Sequence, residues 1–306
     1  MGYGEVVDAA SSTKADIVRG IRACRFYVYL LPTFVLLGVF CFYPPILGFL
    51  GSFYEWNGAN VKIWNGLDNF AKMAHDKVLI ASIGNLIKLA TFTLITSITV
   101  PLLAAELIFN LRSLRAKYWY RVLLVAPMVV PGMVTLLLWQ FIYDPNVGLL
   151  NAVLGVFNVP AQRWLNDPHL ALYCLMFMAF PFVGGITVLI YLAGLNSIGQ
   201  EVFDAAKIDG ARFWQRFFRI DVPLVMGQIK LLLILSIIGV LKGYGAQLIL
   251  TDGGPGYSTM VPGLHMYHQA FEFDHLGYAC ALGLALFLVI ITLTYLSMKI
   301  RKPETE

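Results

Sequence analysis

Two groups of residues in this chain have types and spacings that can do chemistry. The first is residues 201–223, reading EVFDAAKIDGARFWQRFFRIDVP, which places four acids and four bases between long apolar runs. Acids contribute little to the orientation of a membrane protein, so Glu201, Asp204, Asp209 and Asp221 call for another role, and recognition of a partner outside the bilayer is the natural one. The second group is Lys242, Tyr244 and Gln247. Tyrosine stacks on a sugar face, glutamine bonds hydroxyls, and lysine pairs with a carboxylate or phosphate. Helical spacing puts Lys242 and Ala246 on one face, with Gly243 and Gln247 beside them. Packing against a neighbouring helix, with Lys242 satisfied by an acid or by carbonyls, stays open.

The elements that carry these groups follow from composition. Of 306 residues, 58% are hydrophobic and 13% charged, against roughly 25% charged in ordinary globular domains. Mean hydropathy is +0.72. Such a chain cannot cover its own core in water, so lipid is expected to be its solvent. Apolar segments near the ~20 residues needed to cross a bilayer fall at 26–50, 83–109, 119–143, 169–195, 223–250 and 275–298. Helix is expected for each, because an open strand edge would leave backbone groups unsatisfied in hydrocarbon. The expectation is an all-α integral membrane fold of six spans, with kinks at Pro44-Pro45, Pro101, Pro127, Pro131 and Pro181.

Positive charge orients the spans. With the N-terminus cytoplasmic, the inner segments hold Lys14, Arg19, Arg22, Arg25, Arg112, Arg115, Lys117, Arg121, Lys207, Arg212, Arg216, Arg219, Lys299, Arg301 and Lys302. The outer loops hold Lys62, Lys72, Lys77 and Arg163, and the outer loop 251–274 holds no lysine or arginine. Both termini are therefore expected inside, with tails over 1–25 and 299–306. The net charge of +4 reflects topology and not a nucleic-acid site. The first ~25 residues are polar, so an uncleaved signal anchor is expected in place of a cleavable peptide. Cys24, Cys41, Cys174 and Cys280 lie in or beside spans without paired spacing, which suggests neither disulfides nor metal. Aromatics such as Tyr54, Trp56, Tyr143 and Trp164 in the outer loops read as interfacial anchors.

Within residues 196–222, Asn196 or Ser197 can cap a short helix over 200–208 that ends near Gly210, where a left-handed residue is expected. Phe213 with Phe217, and Trp214 with Phe218, are i, i+4 pairs suited to a surface helix, and Pro223 suits the first turn of the next span. The result is a rigid elbow presenting Phe203, Asp204, Lys207 and Asp209 to the cytosol. Enzyme chemistry finds no foothold. The segment Gly253–Thr259 lacks the lysine of a phosphate-binding loop, and no catalytic constellation is visible. His265, His268 and His275 read as polar surface and not as a metal site.

The segment Asp204-Ala205-Ala206, followed by Asp209-Gly210-Ala211 and Ile220-Asp221-Val222-Pro223, resembles the EAA loop of permease subunits of binding-protein-dependent ABC importers. The likeness is to the carbohydrate-uptake branch related to the maltose and glycerol-phosphate systems. Leu192–Ile198, Leu250–Gly256 and Gly66–Phe70 extend it over nearly the whole chain from about residue 26. Two positions depart from the pattern: Asp204 stands where glutamate is usual, and Asp252 where glycine is. The resemblance implies a type I importer permease fold. It also implies that the loop is a coupling helix seated on a cytoplasmic ATPase subunit, with Glu201, Phe203, Asp204, Ala205, Ala206, Lys207, Asp209, Gly210 and Arg212 at the contact. Asp204 would pair with a basic residue there, and Ala205 and Ala206 would allow close approach. The implied partners are a second permease subunit, two ATPase subunits that use ATP and Mg2+, and an extracytoplasmic solute-binding protein in a prokaryotic cytoplasmic membrane. The chain itself would bind no cofactor. The implied cargo is a sugar or oligosaccharide, with an acidic sugar as the narrower option. The alternative from another class is an ion-coupled secondary transporter. Against it stands the scarcity of acids within spans, where Glu106 at the inner end of the second is the one expected.

Overall fold

The computed structural model describes Tyr27 and residues 29–299 of the chain. The expected N-terminal tail with its four bases and Cys24 lies outside the described residues, as do residues 300–306.

The first long helix, α1 (Tyr29–Gly51), widens into a π-turn at Leu37–Phe42 just before Pro44-Pro45. The two prolines donate no N–H to the preceding turn, and the helix accommodates this by loosening there. The hairpin after α1 departs from the all-helical expectation. Tyr54–Trp56 (β1) and Lys62–Trp64 (β2) pair antiparallel, with Glu55 opposite Ile63. Asn57 Oδ1 accepts from the N–H groups of Ala59 and Val61 and closes the hairpin. Asn69, in α2 (Asp68–His75), donates to the carbonyls of Ser52 and Tyr54 at 2.9 Å each and pins the hairpin to the helix.

The longest element is α3 (Lys77–Phe109), which starts six residues before the apolar run suggests. The reason is Asp76, whose Oδ1 caps it by accepting from Val78 and Leu79. Pro101 sits buried within α3 without ending it.

The third and fourth segments are broken outright at the prolines where kinks were expected. α4 (Leu114–Val125) continues through a 3-10 turn to Val129 and then turns by 89° into α5 (Gly132–Ile142). Val130 is extended, as the residue before Pro131 prefers. Beyond α6 (Leu149–Val156), the fourth segment divides into α7 (Ala171–Phe177) and α8 (Gly185–Asn196) around the cis Phe180–Pro181 bond. The fifth is α11 (Met226–Lys242) and α12 (Gly245–Leu250), parted at an extended Gly243. α13 (Pro262–Phe271) and α14 (Leu276–Met298) complete the fold. Between α8 and α11 lie α9 (Gln200–Ile208) and α10 (Phe213–Arg216). Among the described residues four helices are long and apolar enough to cross a membrane, or up to six if each bent pair counts as one span.

The core gathers where α3, α8 and α11 meet, with Ala105, Val188, Tyr191, Leu195 and Val225 all fully enclosed. Around it the large apolar side chains of α1, α4, α5 and α14 stand exposed. A water-soluble monomer rarely leaves such continuous apolar surface uncovered.

Candidate coupling site

The helix α9 runs over Gln200–Ile208, as the sequence suggests, but its start is made differently. Gly199 is the N-cap, in extended conformation and without a side-chain bond. Asn196 and Ser197 instead bond back to the carbonyls of Leu192 and Gly194, closing the C-terminus of α8. At the far end Gly210 has φ +70. The Ala211 N–H donates to the Ala206 carbonyl at 2.9 Å, the long bond of a Schellman termination. A second turn, α10, runs on into a π-turn (Phe217–Asp221). Phe213 stacks on Phe217 and Trp214 on Phe218 as the spacing suggests, but Phe217 is buried in the core and not on a surface face. Pro223 falls in a separate turn over Val222–Leu224, and α11 begins only at Met226.

The elbow divides its residues by face. Glu201, Asp204, Ala205, Lys207, Asp209, Gly210 and Arg212 are exposed, and so is Ile208 at 86%, a residue that motif reasoning passed over. Phe203 and Ala206 face the other way, each 5% exposed. The expectation that both present themselves to a partner is corrected. On a 3.6-residue repeat, positions 203 and 206 share the face opposite 204, 205 and 208, and that face packs on the bundle. Phe203 meets Phe109 at the end of α3, ring centroids 5.3 Å apart. Asp204 accepts from Lys207 at 2.9 Å and Gln200 at 3.1 Å, and these bonds hold its carboxyl below the usual range. It is therefore ionised at neutral pH, in a form that a cationic partner group can take over.

Behind the elbow lies a charged cluster that motif reasoning did not assemble. Arg216 Nη2 donates to Glu106 Oε1, and to Asn110 Oδ1 at 2.8 Å. Its Nε donates to Asp221 Oδ2 at 2.9 Å. Asn110 Nδ2 donates to Glu106 Oε1 at 2.7 Å, and the guanidinium lies 5.4 Å from the Phe203 ring centre. Glu106 and Asp221 are 0% and 1% exposed. Burial and then the Glu106 charge push the Asp221 carboxyl up to about 6, with Arg216 pulling back only in part. The available signal was Glu106 itself, an acid at the end of an apolar run.

The second candidate group is not assembled as helical spacing suggests. Lys242 ends α11 and is exposed, Gly243 breaks the helix, and Gln247 in α12 is buried. Tyr244 packs on Tyr267 and lines an apolar cavity of about 410 Å³ without the other two. The shared face fails because Lys242 and Gln247 belong to different helices.

At the opposite end of α3, a larger cavity of about 970 Å³ is lined by Trp56, Asn57, Asn65, Lys72, Asp76 and Gln269 among others. Of the three histidines read as polar surface, His275 on the cavity wall is exposed as expected, but His265 and His268 are buried and bonded. His265 Nε2 and Tyr278 Oη each lie 2.7 Å from Asp76 Oδ2. His268 is 2.9 Å from Asp252, and the two are joined by Glu272 in a group whose donor atoms lie within 4.8 Å. That set could hold a cation. Its two carboxylates are exposed and the histidine is already bonded, an arrangement common without one. Asp252 has φ +49, which explains why glycine suits that position and why aspartate, tolerant of the left-handed region, can replace it.

A helical protein that exposes long apolar helices, and carries a charged elbow pinned to the end of one of them, is a multi-pass membrane protein. Comparison with known proteins identifies the kind. Residues 97–305 match the binding-protein-dependent transport system inner membrane component family, and the chain belongs to it. It is 27% identical to the diacetylchitobiose uptake system permease protein of Streptomyces coelicolor, over 90% of this chain and 81% of that one. With the arabinooligosaccharides transport system permease protein of Bacillus subtilis it shares 26% identity, over 90% and 87%. A solved structure of a bacterial ABC transporter involved in the import of the acidic polysaccharide alginate superposes with a TM-score of 0.81 at 22% identity, over 94% of this chain and 100% of that one. The fold is thus the type I ABC permease fold, and membership of this family goes against the ion-coupled alternative.

Proposed function

We propose that this chain is the permease subunit of an ATP-driven importer that carries a sugar or oligosaccharide across a prokaryotic cytoplasmic membrane. It works with a second permease, two ATPase subunits that supply the ATP and Mg2+ chemistry, and an extracytoplasmic solute-binding protein. Six spans from 26 to 298 put both tails and the loop 196–222 in the cytosol, in keeping with the distribution of lysine and arginine. The observation that carries the reading is the elbow. It offers Asp204, Ala205, Lys207, Ile208, Asp209 and Gly210 outward, while Phe203 and Ala206 dock on the bundle. When the ATPase subunits close, α9 moves with them and the spans rock between inward- and outward-facing states. The polar cavity beside the hairpin suits the face on which a solute-binding protein releases its ligand. One relative of this fold has been solved with such a partner, an alginate pentasaccharide-bound periplasmic protein. The sugar cargo is supported by relatives named for diacetylchitobiose and arabinooligosaccharides.

The test is uptake by the reconstituted assembly. Asp204→Ala and Gly210→Trp are expected to abolish transport while the complex still assembles, and normal uptake by both would sink the reading. Lys242, and Tyr244 beside the break in the fifth segment, remain the candidates on the substrate path. Lys242→Met should weaken uptake of uronate-containing oligosaccharides more than of neutral ones. Unchanged uptake of both would remove the lysine from the path.

A further inference from the structure

The exposed face of α9 explains how a partner could take hold of the loop, but not how the loop takes hold of the spans. Apolar packing alone would let α9 slide, since Phe203 on Phe109 and Ala206 on its neighbours are smooth contacts. Directional bonds resist sliding, and the ones at this joint converge on a single side chain. Arg216 reaches the end of α3 through Glu106 and Asn110, and the turn that leads into the fifth segment through Asp221. The planar fork of guanidinium donors makes this possible, since Nε and Nη2 point to different acceptors at fixed angles. Its face also lies over Phe203 of α9. Residues 106 and 216 are 110 positions apart in sequence, so no local geometry brings them together.

We propose that Arg216 is the positioning residue that locks the coupling loop to α3, so that a displacement of α9 is delivered to that helix rather than lost at the joint. The site holds two buried carboxylates for one guanidinium, and the carboxyls of Asp221 and Glu106 also meet each other at hydrogen-bonding range. Burying a second acid against a single base is costly to stability. A joint that must hold an arginine fork from two sides accounts for it. From there α3 runs 33 residues to Asp76, where His265 and Tyr278 tie its other end to α13 and α14. Arg216 thus grips one end of a rod of about 50 Å, whose other end lies beside the polar cavity.

This inference rests on the coupling reading of the loop. It is tested in the reconstituted complex by measuring substrate transported per ATP hydrolysed. Arg216→Lys keeps the charge but cannot bridge both acceptors. It is expected to assemble and hydrolyse ATP, with the transport ratio down about tenfold, within the range of a single coupling free energy. Glu106→Met removes the main bond to α3 and leaves one carboxylate with one guanidinium, so folding is secured while the ratio still falls. If Arg216→Lys does not assemble, Glu106→Met decides. A wild-type ratio in an assembled variant of either kind overturns the proposal, provided Asp204→Ala uncouples in the same assay. If Asp204→Ala and Gly210→Trp also transport normally, the coupling reading itself has failed.

Discussion

At the scale of single residues, carboxylates do the most distinctive work, and their surroundings set opposite behaviour. Burial works against the charge on Asp76, but the Tyr278 hydroxyl, the Leu79 N–H and His265 together hold its carboxyl below the usual value. Its contribution to stability is present above the unfolded pKa and is lost as pH falls through the folded one. Asp76→Ala removes a helix cap and strands two buried partners, at a cost of about 2–4 kcal/mol. Thermal unfolding in detergent should show that loss at neutral pH, and a melting temperature equal to wild type would contradict it. Asp221 runs the other way. With its folded value near 6 against 3.8, the folded state binds the extra proton, so stability declines as pH rises between those values. Asp221→Asn should flatten that decline, which a series of melting curves across this range would reveal.

At the scale of elements, glycines decide how closely helices meet and how they end. A Cβ at Gly185 would overlap the Leu124 carbonyl oxygen, so α8 rests against the backbone of α4. Gly185→Val should force the two apart and lower the yield of assembled complex, read by size-exclusion chromatography. Gly210 is different, because nothing lies within 4 Å of its Cβ direction and the constraint is its φ of +70 alone. Gly210→Ala should therefore cost only about 1–2 kcal/mol of backbone strain, with the complex still assembling. The loop was legible from sequence for this reason: Gly210 and the aromatic pairs are local signals, and local chemistry produced the turn and the stacking they announce, whereas Pro223 sits in a turn of its own ahead of the span. The hairpin was not, because β1 and β2 are three residues each and are held by Asn69 from outside. Nor was the inward turn of Phe203, which depends on Phe109 and Arg216 being nearby. The breaks at Val130 and Gly243 were half legible: the proline marked the first, while the lysine-tyrosine-glutamine patch assumed that the second did not exist.

At the scale of the whole molecule, two parts of the surface stand out. One end carries a charged elbow whose outward side chains have few partners within the chain, and the sides carry uncovered apolar surface. Purified in detergent from its native membrane, the chain is expected to bring an ATPase subunit with it, and Asp204→Ala with Ile208→Asp should reduce that recovery. Equal recovery from the double variant would place the ATPase contact elsewhere. The 89° turn between α4 and α5 adds a geographical constraint. Around Val129–Pro131 the helical ladder stops, and carbonyls there lose the donors that would have continued it. Hydrocarbon offers no substitute. If this bent pair crosses the membrane, the bend marks a stretch of perimeter closed to lipid tails, where protein or water must sit. A map of lipid contacts around the molecule should therefore show a gap on that side.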